Sequence, residues 1–185
     1  MQIKSKDKHF FMKTKTEKLL AVMNVLAWLT LAGLLVKAGA MLITYGVSLA
    51  NPEGAKNLYR GLNVYGIRQF NIWHYTLTVF FLVAVVLLEA YITYLVIRIL
   101  SKIKMASPFT MEVSKVMERV SYFMLATWVV AMLYDAHMSW LLKKLPGLQL
   151  NLIPGEFIFL AGVVFVFAQI FKKGVEIQSE NELTV

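Results

Sequence analysis

The chain has 185 residues, of which 58% are apolar and only 16% charged, with no cysteine and a formal net charge of +8. This lies far from the composition of a soluble domain, and the lack of cysteine excludes disulfides, thiolate catalysis and thiolate metal sites. The basic residues flank long apolar runs, a placement that points to membrane topology and attraction to anionic lipids rather than to direct nucleic-acid binding.

A basic segment, residues 1–18, carries Lys4, Lys6, Lys8, Lys13, Lys15 and Lys18 and leads into a first apolar stretch at 19–50. A membrane span needs about 20 mostly apolar residues, so a transmembrane helix is expected over about 19–49. Ala38-Gly39-Ala40 imitates a signal-peptide cleavage site, but the run before it is already longer than a usual signal core and apolar character resumes after it. The connection 51–68 contains Pro52, Gly54, Gly61 and Gly66 and reads as a loop with a short interfacial helix near 55–62.

The second stretch, 69–97, predicts a helix over about 70–100. In the next connection Ser107 followed by Pro108 reads as an N-cap and first helical position, so the third helix (about 110–143, around the apolar stretch 120–142) begins before the membrane. The connection after it is short. Pro154 opens the fourth helix, about 154–173, with Glu156 in its first turn, and Gly174 is expected to end or interrupt it. Residues 174–185 form a polar cytoplasmic tail, of which 178–185 is expected to fold back beside 108–112. The reading is an all-α membrane protein, a single four-transmembrane-helix bundle spanning 1–185.

Orientation follows from charge. The basic segment, Arg98, Lys102, Lys104, Lys115, Arg119, Lys172 and Lys173 lie on one side, and only Lys56, Arg60, Arg68, Lys143 and Lys144 on the other. Cationic flanks stay cytoplasmic, so both termini are expected inside. Tyr59, Tyr65, Phe70, Trp73, Tyr75 and Trp140 crowd the outer boundary as interfacial anchors.

Lys37, Glu89 and Asp135 are the ionisable residues deep in apolar runs, and such groups are rare without partners. Counting helical rise from the inner boundary gives Lys37 and Asp135 similar depths, about 26–27 Å, which predicts an ion pair between them. Glu89 lies about 14 Å from the inner boundary with no matching cation. It is expected to face inward with Thr78 and Thr93 as a neutral acid. Ser114, Ser121, Trp128 and Asp135 recur every seven residues, as do Thr30, Lys37 and Thr44, beside Gly33 and Ala40; small residues and hydroxyls at this spacing describe a helix–helix seam.

His74, His137, Asp135 and Glu156 project near the outer boundary, but no short-range ligand motif joins them, so no metal site is expected. Nucleophile elbow, Walker loop and dinucleotide fingerprint are all missing from the sequence. No catalytic residues and no cofactor are expected, and the enzyme class is set aside.

Ser107-Pro108-Phe109-Thr110-Met111-Glu112, together with the run from Phe171 to Val185, resembles the bacterial membrane family called domain of unknown function 2975. The positions carrying the resemblance are Pro108, Phe109, Thr110 and Glu112, then Phe171, Gly174, Gln178, Glu180, Glu182, Leu183, Thr184 and Val185. Ser107 and Val113 stand where the family more often has Asn, and Ile177 where it has Leu. The resemblance implies four membrane helices and genes frequently adjacent to one for a small helix-turn-helix repressor.

From this follows the leading expectation: a non-enzymatic bacterial inner-membrane protein, in contact with membrane lipids. Its 107–112 loop and C-terminal tail would bind a cytoplasmic helix-turn-helix transcription regulator, making it a sensor or anchor. The alternative is a small proton-linked transporter or ligand-binding bundle using Lys37, Glu89 and Asp135.

Overall fold

The computed structural model describes residues 15–102, 110–148 and 157–183. Helix α1 runs from Lys15 to Ala50 without a break, and Ala38-Gly39-Ala40 lies within it. Its length, about 54 Å by helical rise, well exceeds the hydrocarbon thickness of about 30 Å. The shielded positions Leu20, Asn24, Ala27, Leu31, Leu34, Ala38, Met41, Tyr45 and Ser48 alternate at spacings of three and four. This is the single seam of a helix that packs on one partner.

The expected interfacial helix at 55–62 is instead two short elements. Asn51 accepts a hydrogen bond from the Glu53 N–H at 3.1 Å and caps a 3-10 helix, Pro52–Asn57; helix α2 is Tyr65–Phe70. Between them Arg60 (φ 47°) and Gly61 (φ 86°) take left-handed conformations, which no continuous right-handed helix tolerates. The Leu58 N–H donates to the Leu62 carbonyl at 2.8 Å, and the Val64 N–H to that of Ala55 at 2.9 Å. Ala55, Leu58, Val64 and Ile67 are buried in a cap across the ends of α1 and α3.

Helix α3 is Ile72–Lys102 and α4 is Met111–Lys144. The N-cap of α4 is Thr110 rather than Ser107: Thr110 has extended backbone (φ −128°, ψ 143°), and its hydroxyl accepts from the Val113 N–H at 3.2 Å. Ser107 and Pro108 lie outside the described residues. Helix α5 covers Phe157–Leu183; Pro154 and Glu156 lie outside the described residues.

The expected stop at Gly174 does not occur. An interior glycine costs about 1 kcal/mol relative to alanine, and the neighbouring turns outweigh it, Lys173 pairing with Glu176 at 3.0 Å.

The helices α1, α3, α4 and α5 are each long and apolar enough to cross a membrane, which makes this a multi-pass membrane protein; no strand occurs among the described residues. They form an open bundle: α1 packs on α3, α3 on α4, and α4 on α5. Successive helices are antiparallel, so the start of α1, the end of α3, the start of α4 and the end of α5 share one side, the terminal end. The cap and residues 145–148 occupy the other, the loop end. The larger core gathers Ala38, Met41, Val79, Val83, Tyr134 and Met138 toward the loop end, and a smaller one joins Leu95, Val116 and Val120. Outward apolar residues such as Val36, Ile43, Trp73 and Phe159 stay exposed, as suits side chains solvated by lipid tails.

Candidate functional site

At the terminal end, Glu112 sits in the first turn of α4 and pairs with Lys102 at the end of α3. Thr110 is spent on capping. Pro108 and Phe109 lie outside the described residues.

Ser114 donates to the carbonyl of Ala168, and extending that antiparallel register sets the start of α4 level with Phe171. Helix α5 therefore continues about 18 Å beyond the start of α4 before Leu183. This corrects the expected fold-back of 178–185, because the chain as far as Leu183 prolongs the helix instead of reversing. Phe171, Gly174, Val175 and Gln178 are half-buried along one face, while Lys172, Lys173, Ile177, Ser179 and Glu180 are exposed. Glu182 and Leu183 continue the helical backbone; Thr184 and Val185 fall outside the described residues.

The intramembrane charges are arranged differently from the depth count. Tyr45 bonds Thr76 at 3.0 Å and Ser48 bonds Tyr75 at 2.6 Å, which fixes the antiparallel register of α1 on α3. Extending it sets Lys37 level with Val85. The Lys102–Glu112 pair and the Tyr91–Phe123 ring contact set the register of α3 on α4, and place Asp135 level with Val79. Lys37 and Asp135 thus differ by about 9 Å in depth, on helices that each pack against α3. No ion pair joins them among the described residues.

Glu89 lies one helical turn, about 6 Å, from the level of Lys37, and no ion pair joins them among the described residues. Lys37, Glu89 and Asp135 are all half-buried. The hydroxyls of Thr78 and Thr93 donate to the carbonyls of His74 and Glu89, four residues back on their own helix, both at 2.8 Å.

At the loop end His74 and His137 stack with ring centroids 5.4 Å apart, and Trp140 and Phe70 lie 4.9 and 5.8 Å from His74. The His137 Nε2 is buried with no hydrogen-bond partner. Glu156 is outside the described residues. No three histidine or acidic side chains converge in metal-binding geometry among those described.

Sequence reasoning missed two features. Tyr75 is no headgroup anchor: it is completely buried, and its hydroxyl contacts Ser48, which also donates to the Tyr45 carbonyl at 2.7 Å. Tyr45 and Ser48, three apart near the end of an apolar run, were the available signal. The second is a cavity of about 530 Å³ between the 61–66 turn and the 145–148 loop, lined by Gly61, Asn63, Gly66, Pro146 and Gly147 among others. Among the described residues its lining includes no ionisable side chain, and Asn63 is the polar side chain on its wall.

No curated protein and no solved structure matches the chain. A family profile described as "Protein of unknown function (DUF2975)" matches residues 48–185, which begin in the last turn of α1 and include α3, α4 and α5. With three quarters of its length matched, the chain belongs to the DUF2975 family.

Proposed function

We propose that the protein is a non-enzymatic bacterial inner-membrane protein with both termini in the cytoplasm, whose terminal end holds a helix-turn-helix transcription regulator at the membrane. The observation that carries this reading is the length of α5. The helix extends about 18 Å past the start of α4 and exposes Ile177, Ser179 and Glu180 on a surface that no other described helix covers. A helix needs no such extension to span a bilayer, and one that projects from it can be read by a soluble partner in a groove. The lysines at this end favour its cytoplasmic placement.

The test is affinity capture of the detergent-solubilised protein from its own cell, with and without residues 178–185. Loss of a DNA-binding partner on truncation, with helical content otherwise retained, supports the proposal. Identical partners for both forms, or none for either, refutes it. Because the chain has no cysteine, single cysteines at Ser179 and Asn57 report orientation cleanly: the first should resist a membrane-impermeant thiol reagent in intact cells and the second should react.

A second reading, a small proton-linked transporter or ligand-binding bundle, draws on the half-buried Lys37 and Glu89 and on Asp135. The continuous α1, α3 and α4 lack the discontinuities that transporter sites use, which ranks it second. Glu89→Gln that abolishes uptake of a solute while leaving the protein folded would favour it.

A further inference from the structure

Two bands of exposed aromatic residues set the depth of α3 and α4 in the bilayer. Trp73 and Trp140 are exposed at the loop end, and Tyr91, Tyr94 and Tyr122 toward the terminal end. Rings of this kind collect at the two membrane–water boundaries. From Trp73 to Tyr94 is about 32 Å of helical rise, and from Tyr122 to Trp140 about 27 Å, which brackets a hydrocarbon core of about 30 Å. Between Trp73 and Tyr91 the exposed positions of α3 are Leu77, Phe80 and Leu87, all apolar.

Toward the terminal end, Arg98 lies about 6 Å beyond Tyr94 on α3, and Arg119 about 4.5 Å beyond Tyr122 on α4. The headgroup layer is about 5–7 Å deep on each side, so both arginines stand within it. They also share one edge of the seam. The ring contact Tyr91–Phe123 and the pair Lys102–Glu112 join the two helices along that edge. Arg98 is seven residues after Tyr91 and four before Lys102; Arg119 is seven after Glu112 and four before Phe123. At these spacings each arginine lies on the same helix face as those contacts. The register puts them about 4.5 Å apart in level.

The nearby carboxylates are engaged. Glu112 pairs with Lys102, and Glu118 accepts from the Tyr122 hydroxyl at 3.3 Å. Neither Arg98 nor Arg119 has a guanidinium hydrogen bond or ion pair among the described residues. A guanidinium binds phosphate bidentately, and basic sites between membrane helices take anionic headgroups.

We infer that Arg98 and Arg119 form a binding site for the phosphate of an anionic phospholipid at the terminal edge of the α3–α4 seam. The acyl chains lie along the exposed apolar face of α3. A zwitterionic headgroup brings its own ammonium to two unneutralised guanidinia, so the site selects a lipid of net negative charge. It is a defined site rather than the diffuse attraction of a basic flank, and it is independent of either functional reading.

Native mass spectrometry of the detergent-solubilised full chain counts the lipid retained. Given equal amounts of phosphatidylglycerol and phosphatidylcholine, the parent should keep phosphatidylglycerol preferentially. Arg98→Gln or Arg119→Gln should each weaken that binding roughly fivefold, one basic residue's share at an anionic surface, and leave phosphatidylcholine unchanged. Lys172→Gln with Lys173→Gln removes two exposed charges at the same end and should leave phosphatidylglycerol binding as in the parent. Cooperative thermal melting by circular dichroism establishes that each variant is folded; phosphatidylglycerol should raise the melting temperature of the parent and not of the arginine variants. Equal retention of the two lipids overturns the site, as does a loss in the lysine variant as large as in the arginine variants. Inorganic phosphate that protects the parent as well as phosphatidylglycerol does overturns the lipid assignment, by giving the arginines to a soluble anion.

Discussion

Removing the hydroxyls of Ser114 and Ser121 should loosen α5 from α4 by a small, additive amount. Each serine donates to a carbonyl of the facing helix at 3.0 Å, Ser114 to Ala168 and Ser121 to Ala161, and all four residues are buried. Replacement by alanine removes only the hydroxyl and opens little volume. Each carbonyl keeps its own helical hydrogen bond, so no buried acceptor is orphaned, and the loss should be near the average for an interhelical bond in a bilayer, about 0.6 kcal/mol and at most about 1.7.

The serines stand seven residues apart, about 10 Å along the helix, beyond the range at which substitutions usually couple. The double variant should therefore lose about 1.2 kcal/mol. Ala168→Leu, by contrast, forces bulk into a contact with no free surface and should cost more, about 1–3 kcal/mol. Reversible unfolding in mixed micelles with increasing dodecyl sulfate, followed by helical circular dichroism, measures the four variants beside the parent. The reasoning fails if the double variant matches the parent, if either single serine costs above about 2 kcal/mol, or if Ala168→Leu is the mildest of the set.

Arg60→Gly should stabilise the protein by on the order of 0.5–1 kcal/mol, because a left-handed arginine is penalised and glycine is not, less the greater entropy that glycine gives the unfolded chain; the same titration reads it. Lys56 lowers the Glu53 carboxyl below its ordinary 4.5 through their hydrogen bond, and Glu53 in turn raises Lys56 above 10.5. The pair's contribution should therefore be lost as pH falls through the lowered Glu53 value, and again as pH rises through the raised Lys56 value. An NMR titration should find both displacements, and Glu53→Gln should return Lys56 toward 10.5.

Apolar length made the spans legible, and the seven-residue repeat at Ser114 and Ser121 marked a real seam. Lateral and axial placement was harder. The depth count measured Lys37 from Leu19 as though the membrane began there, but α1 starts at Lys15 and is far longer than a bilayer is thick. A helix of that length can sit at many depths. Its level is set by side-chain contacts on α3, Tyr45 with Thr76 and Ser48 with Tyr75, which join residues far apart in the chain and leave no local trace. That is why counting from Leu19 set Lys37 level with Asp135, whereas these contacts set it level with Val85.

Gly174 misled for a related reason. Glycine's preference for helix ends is a bias of about 1 kcal/mol, readily overcome where the following turns favour a helix. Likewise Ser107-Pro108 reads by itself as a helix start, and it is the extended backbone and capping hydroxyl of Thr110 that mark where α4 begins. The two left-handed residues at Arg60 and Gly61 had a partial signal in Gly61, but an arginine at positive φ has none.

The open, serial packing of the helices bears on how the protein is made. Every extensive seam joins neighbours in the chain: α1 with α3 through the cap, α3 with α4, α4 with α5. None of these contacts waits on a distant segment, so loop-closure costs stay small throughout assembly. As each helix leaves the ribosome and enters the bilayer, the surface that will receive it is already there. Synthesis and assembly can then proceed in the same direction, one antiparallel hairpin at a time.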